Sequence, residues 1–194
     1  GFAGKFSLQH ETKPFRIGKQ PYQLTSVAGL EIVQRKLKPL ERLRNVEFLR
    51  DWSLPYETPF ADERIASGST KISNKKGDRL RYEITNYNRS DGYNGFRQLI
   101  DQYGSIRNWK LQTNISYVQF DNRLQKGNFF RPIIDMKKEW KQWGGLQLGA
   151  KYTGEYNRLF DKTNDTLTPA SFSFSIYELY LKSNEQKLNK WGMS

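Results

Sequence analysis

Few side chains in this 194-residue sequence could support catalysis. It has no cysteine and one histidine, His10, so thiolate chemistry, disulfides and sites built from several histidines are excluded. Carboxylates are available, for instance Glu47 with Asp51 and Asp161 with Asp165. General acid–base catalysis needs such groups to converge, but basic neighbours indicate ion pairing for both. No GxSxG, P-loop, GxGxxG or HExxH motif occurs. We therefore expect no catalytic residue, no enzyme activity and no cofactor.

Metal binding has one candidate segment, the run DKTNDT at residues 161–166. Oxygen ligands close together in sequence are what Ca²⁺ prefers. The run lacks the glycine and the later glutamate of an EF-hand loop. A polar loop is the favoured interpretation, and no metal site is expected.

The most unusual local feature is a cluster of interleaved charges around Phe48 and Trp52. On a wall that faces an aqueous lumen, such a network would brace the wall or seat a plug. On a soluble protein it would be a salt-bridged face. We favour bracing and assign to this network Arg42, Arg44, Glu47, Arg50 and Asp51.

The elements that position these residues are indicated by alternation of apolar and polar side chains, the period of a β-strand with two different faces. Connections rich in Gly, Asn and Asp separate the alternating segments. The pattern predicts an all-β, antiparallel up-and-down meander, with long loops at one end and short turns at the other. The predicted strands are 80–88, 109–117, 130–140, 146–157 and 172–181, with a weaker one at 96–103.

The chain divides at about residue 75. Residues 1–75 are predicted to be an irregular segment interrupted by prolines, with one or two strands near 5–10 and 30–38. Within it, 39–52 is compatible with either a helix or a strand. Residues 76–194 are predicted to be the meander.

Several alternating segments exceed the about 5 to 6 residues usual in soluble proteins and approach the about 9 to 11 of a transmembrane strand. This favours a barrel wall with an apolar lipid-facing side and a polar lumen-facing side. The expected lumen residues are Lys110, Lys151 and Glu155. The expected lipid-facing or interface residues are Trp109, Leu111, Ile115, Tyr117, Trp140, Leu146, Leu148, Tyr152 and Tyr156.

Composition leaves several partners open. A formal net charge of +12 attracts phosphate, acidic polysaccharide, anionic lipid or nucleic acid. The alternative to a barrel is a soluble β-sandwich that binds carbohydrate or another polyanion, including nucleic acid. Because the basic residues are dispersed and no RNP-type motif occurs, we do not favour nucleic acid as the partner. No apolar run is long enough for a membrane-spanning helix.

Three segments resemble parts of very large outer-membrane β-barrel proteins of the Bacteroidota, a family of unassigned function. They are ERLRNVEFLRDWSLP at 41–55, the strand-rich stretch at 108–140, and FSFSIYELYLKSNEQKLNKWGMS at 172–194. The resemblance implies that the chain is a fragment of a much longer barrel in the bacterial outer membrane. Its implied partners are outer-membrane lipid, lipopolysaccharide and other envelope subunits. The expected role is transport, protein secretion or envelope assembly.

Overall fold

The computed structural model describes residues 2–34, 52, 54, 61–140, 145–167 and 173–182. In this part of the chain all regular structure is β. The strands are β1 (Phe2–Glu11), β2 (Phe15–Ile17), β3 (Gln20–Gln34), β4 (Glu63–Asn74), β5 (Arg79–Arg89), β6 (Asn94–Ile106), β7 (Trp109–Asp121), β8 (Gln125–Trp140), β9 (Leu146–Asp161), β10 (Thr166–Leu167) and β11 (Ser173–Lys182). No helix long and apolar enough to cross a bilayer occurs among these residues.

The eleven strands form a single antiparallel sheet in chain order. β1 and β2 both pair with β3, and β10 and β11 both pair with β9, so the eleven strands occupy nine rows. Because every neighbouring pair is antiparallel, the first and the ninth row run in the same direction. Among the described residues β1 pairs only with β3 and β11 only with β9, so the sheet is open at both edges.

The predicted meander is confirmed, and each predicted strand from 80–88 to 172–181 lies within or overlaps an observed one. Two connections at the end predicted to carry long loops are short, with four residues at 90–93 and three at 122–124, because the strands extend further than alternation indicated. The connection between β9 and β11 at the same end is long and includes β10. The predicted short turn at the other end is confirmed by the two residues at 107–108. Alternation fades near the strand ends because apolar side chains occupy both faces there.

The proline-rich first part of the chain contains more strand than expected. β1 to β4 all lie before residue 75 and belong to the same sheet as the rest. Pro14 falls between β1 and β2, and Pro21 lies near the start of β3, positions where a missing N–H is tolerated. The segment 39–52, left open between helix and strand, lies outside the described residues except for Trp52.

The β4–β5 turn shows how the connections are stabilised. Asn74 Oδ1 accepts hydrogen bonds from the backbone N–H groups of Lys76 and Asp78, and Gly77 adopts a φ of 91° that other residues rarely reach. The Asp78 carboxylate accepts bonds from the Asn74 amide at 2.8 Å and from Ser105 N at 2.8 Å. These bonds, chiefly that from Asn74, lower the pKa of Asp78. The turn is thereby joined to the neighbouring β6.

We expect Gly127→Ala to destabilise the fold by about 1 to 3 kcal/mol, because the new methyl group overpacks its site. A Cβ at Gly127 would lie 2.7 Å from the Arg158 carbonyl oxygen and 2.8 Å from Leu159 Cδ2. The matched control is Gly104→Ala, since a Cβ there meets nothing within 4 Å. The midpoint of chemical unfolding should fall for the first variant and stay unchanged or rise slightly for the second. Equal shifts for both would contradict the packing at Gly127.

Candidate functional site

The candidate site is the sheet itself, whose two faces differ in chemistry. All nine residues predicted to contact lipid lie on one face, because the register pairs Leu111 with Met136, Ile134 with Tyr152 and Trp140 with Leu146. We call this the apolar face. Lys110, Lys151 and Glu155 lie on the opposite, polar face. Arg42, Arg44, Glu47, Arg50 and Asp51, the remaining members of the proposed bracing network, lie outside the described residues.

Ion pairs link neighbouring strands across the polar face. Arg79 joins β5 to Asp101 of β6 at 3.2 Å, and Arg97 of β6 returns to Glu83 of β5 at 3.0 Å. The other cross-strand pairs are Lys110–Glu139 at 2.6 Å, Arg131–Glu155 at 3.2 Å and Lys151–Glu178 at 3.4 Å. A well-exposed pair such as Lys151–Glu178 contributes only about 0 to 1 kcal/mol. The consequence of these pairs is a hydrated surface of interleaved charges, which includes three of the predicted lumen residues.

The apolar face carries an aliphatic band between two groups of aromatic residues. At one end Tyr117, Phe130 and Tyr156 are direct register neighbours on β7, β8 and β9. At the other end lie Trp109 and Trp140, with Lys138 Nζ 5.4 Å and 4.9 Å from their ring centroids. The side chains between them on these strands are mostly aliphatic, and include Leu111, Ile115, Ile134, Met136, Leu148 and Ala150. Many of the large ones are exposed, among them Leu148 at 49% and Met136 at 45%.

Hydroxyl groups within this band bond to one another. Tyr156 Oη and Ser175 Oγ lie 2.9 Å apart, and Tyr152 Oη contacts both. The three groups thus satisfy one another on an otherwise apolar surface, as polar groups in an apolar surrounding must.

The polar face changes character at the end formed by the turns 90–93, 122–124 and 162–165, which we call the Tyr93 end. Here Tyr87, Val118, Phe120 and Phe129 replace charged residues and are buried. The aromatic residues Tyr87, Tyr93, Phe120 and Phe129 form a chain of ring contacts whose centroids lie 5.5 to 6.0 Å apart. Such pairs add about 0.5 to 1.5 kcal/mol each to the gain from burial.

Trp52 completes this cluster from the connection between β3 and β4. Its side chain is 1% exposed, its ring lies 5.2 Å from that of Tyr87, and the Arg97 guanidinium lies 5.5 Å from its centroid. Gly95 makes room for it, since a Cβ there would lie 2.8 Å from the indole. The β3–β4 connection is therefore anchored to the polar face of the sheet.

Tyr93 holds the backbone of Trp52 in place. Its hydroxyl donates a hydrogen bond to the Trp52 carbonyl oxygen, within a buried environment. Burial raises the pKa of Tyr93, so the hydroxyl keeps its proton and remains a donor at ordinary pH.

The sequence analysis noted Trp52 but did not predict the residues that it packs against, such as Tyr87 and Gly95. The available signal was a local loss of alternation at Tyr117-Val118, Phe129-Phe130 and Leu159-Phe160, where two consecutive apolar residues occupy opposite faces. Consecutive apolar residues indicate that both faces of a strand are covered. Gly95 carried no such signal, because its role depends on a ring that arrives from the distant β3–β4 connection.

Two other residues that could support chemistry, His10 and Asp161, take part in strand pairing and in a turn. His10 is exposed on β1, paired with Ser26 of β3. The Asp161 carboxylate accepts hydrogen bonds from Thr163 N at 2.8 Å and from the Asn164 amide at 3.0 Å, which lower its pKa and close its own turn. Within the described ranges no three metal-ligating side chains lie together. Glu47 and Asp51 lie outside those ranges.

The class of protein defined by this fold is an all-β antiparallel meander with one charged face and one apolar face. In comparisons with known proteins, no family model, no curated protein and no solved structure matches the chain.

Loss of the anchor should destabilise the fold strongly. We expect Trp52→Ala to cost about 3 to 5 kcal/mol, the range for truncating a buried large aromatic residue. Tyr93→Phe should cost about 1 kcal/mol, because it removes one buried hydrogen bond and keeps the ring. Unfolding midpoints in denaturant measure both variants, and an unchanged midpoint for Tyr93→Phe would contradict the buried bond.

Proposed function

We propose that this chain forms part of the wall of a transmembrane β-barrel in the bacterial outer membrane. It acts without catalysis, in transport, protein secretion or envelope assembly. The polar face lines the lumen and the apolar face contacts lipid.

The observation that carries this proposal is the height of the aliphatic band. From Trp109 to Tyr117 on β7, and from Leu146 to Tyr156 on β9, the band measures about 27 to 33 Å along the strands at about 3.3 Å per residue. A strand tilt of about 40° reduces this to roughly 20 to 25 Å, close to the about 25 Å apolar band of outer-membrane barrels. Aromatic residues bound the band at both ends, where the membrane interfaces would lie.

The exposed apolar side chains support the same proposal. Isolated exposed apolar residues are ordinary, but a contiguous apolar surface marks a protein or membrane contact. On β11 alone Tyr177 is 78% exposed and Leu179 86%. Lipid hydrocarbon covers such a surface without demanding a complementary shape.

The polar face suits a hydrated lumen. It carries charges of both signs, and each charged side chain must be either hydrated or paired with an opposite charge. The β3–β4 connection reaches this same face through Trp52. A connection anchored inside a barrel narrows the lumen and braces the wall, which is the role proposed for the charged residues at 41–51.

The two open edges bear on the size of the barrel. Since the first and ninth rows run in the same direction, joining β1 directly to β11 would make a parallel pair. Bacterial single-chain barrels close with antiparallel pairs and an even number of strands. Closure of this wall therefore requires an odd number of additional strands, in keeping with the resemblance to much larger barrel proteins. The proposed partners are outer-membrane lipid, lipopolysaccharide and other envelope subunits.

The competing hypothesis is a soluble sandwich that binds carbohydrate or another polyanion. In a sandwich a second sheet covers the apolar face, whereas the described strands all belong to one sheet. The two hypotheses differ in whether the chain needs lipid or detergent to fold, because lipid covers the apolar face in a barrel wall and a second sheet covers it in a sandwich.

Two adjacent isoleucines provide a test of whether the apolar face contacts lipid. Ile133 and Ile134 are each 38% exposed, but Ile133 lies on the polar face and Ile134 near the middle of the aliphatic band. We expect Ile134→Arg to destabilise membrane assembly by about 2 to 4 kcal/mol, the cost of arginine near the midplane of an outer-membrane barrel. Ile133→Arg should be tolerated, because its side chain reaches water and the nearby Asp135. The measurement is the folded fraction of the complete barrel protein that contains this chain, after its insertion into phospholipid vesicles.

Equal tolerance of the two arginines would refute the lipid-facing assignment. Both variants should also be unfolded in detergent-free buffer. Folding of the parent chain there would favour the soluble sandwich, in which a second sheet and not lipid covers the apolar face.

Fractionation of native cells tests location and size together. An antibody against residues 158–170 should detect a band in the outer membrane, far heavier than the 22.9 kDa of this chain. The expected mass follows from the additional strands that closure requires. A soluble band near 22.9 kDa would overturn the proposal.

A further inference from the structure

A groove of about 430 Å³ lies on the apolar side of the sheet at its Tyr93 end. It begins where the aromatic row of Tyr117, Phe130 and Tyr156 ends. Beyond that row the side chains become polar in two consecutive register rows. The first row is Phe96, Gln119, Asn128 and Arg158, and the second is Asn94, Asp121, Lys126 and Phe160.

The polar groups of this groove have unused bonding capacity. The side chains of Gln119, Asn128 and Arg158 make no hydrogen bond or ion pair with any described residue. Among the described residues that line the groove Asp121 has the one carboxylate, and it is already paired with Lys162. Lys126 has no acidic partner in the described part of the chain, and its Nζ lies 4.6 Å from the centroid of the Phe160 ring.

The groove therefore offers three kinds of recognition within one surface. Arg158 and Lys126 supply two positive charges that the local carboxylate does not neutralise, which suits a phosphate group. Amides of Gln119 and Asn128 both donate and accept hydrogen bonds, as sugar hydroxyl groups require. The half-buried rings of Phe96 and Phe160 provide apolar contact for the C–H groups of a sugar ring.

We propose that this groove binds the phosphorylated saccharide headgroup of a membrane glycolipid. The inference rests on the proposed function, because the barrel orientation places the groove at the level of the headgroups. The aromatic row marks the hydrocarbon boundary, and the groove opens directly beyond it on the same face. A headgroup seated there keeps its acyl chains beside the aliphatic band of β7 to β9.

A free phosphorylated sugar would have the same headgroup chemistry but would gain nothing from the neighbouring apolar band. The structure favours the glycolipid, since charged, amide and aliphatic surfaces are continuous along the same three strands. The two sources are separated by comparing one headgroup with and without its acyl chains.

The experiment uses the complete barrel protein that contains this chain, in a nonionic detergent. The probes are a bisphosphorylated glucosamine disaccharide that carries acyl chains, the same disaccharide after deacylation, and the unphosphorylated disaccharide. Bound probe is measured by native mass spectrometry over a range of concentrations. The test variant is the double substitution K126Q/R158Q. Its matched control is K75Q/K76Q, which removes the same charge from the exposed β4–β5 turn at the opposite end of the sheet.

We expect the parent to bind the acylated probe at least tenfold more tightly than the deacylated probe. The unphosphorylated probe should bind most weakly of the three. K126Q/R158Q should weaken binding of both phosphorylated probes at least tenfold, and K75Q/K76Q less than twofold. Asn128→Ala provides a second variant that keeps both charges, with an expected loss of about threefold. Unfolding midpoints establish that each variant is folded.

Equal losses in the two double variants would mean unspecific charge attraction and would overturn the groove as a site. Equal affinity for the acylated and deacylated probes would overturn the glycolipid as its ligand. These results are independent of the Ile133 and Ile134 comparison. If that comparison refuted the membrane wall while the deacylated probe still required Lys126 and Arg158, the proposed function would fail and a phosphosaccharide site would remain.

Discussion

The structure depends on the two-residue period of the β-strand, kept in phase across nine hydrogen-bonded rows. A slip of one residue between any two strands would move every apolar side chain of one strand to the polar face. From β1 through β3 to β9 the observed register contains no such slip, so Leu8, Ala28, Gly68 and Ile84 share a face with Tyr117 and Tyr156. The ion pairs, the aliphatic band and the proposed headgroup groove all follow from this common phase.

A single sheet obtains little burial from its own residues, and this limits how the fold can be stable. The buried hydrophobic cluster is confined to the Tyr93 end, where Trp52 and its aromatic neighbours pack on the polar face. Elsewhere large apolar side chains remain exposed, including Leu148 and Leu179. Burial of apolar area is the main favourable term in folding. The sheet therefore needs a cover on its apolar face, and a lipid bilayer is the cover proposed above.

The two ends of the sheet have different roles in this arrangement. The Trp109 and Trp140 end has a narrow aromatic boundary reinforced by Lys138. At the Tyr93 end, both faces carry specialised groups: the anchor of the β3–β4 connection on one, and amide and basic side chains on the other. This asymmetry is suited to a wall whose Tyr93 end engages both an internal segment and the membrane surface. Gly95 and Gly127 permit the close contacts that this end requires.

Alternation alone was sufficient to predict the meander and to assign Trp109, Leu148, Lys110 and Lys151 to their faces, because parity is a local property of an extended chain. It did not predict the short turns at 90–93 and 122–124, the strands around Pro14 and Pro21, or the open edges. Nor did it predict that Trp52 packs against Gly95 and Tyr87. Those features depend on contacts between residues far apart in sequence, and they are decided only when the nine rows assemble and bring the ends of separate strands together.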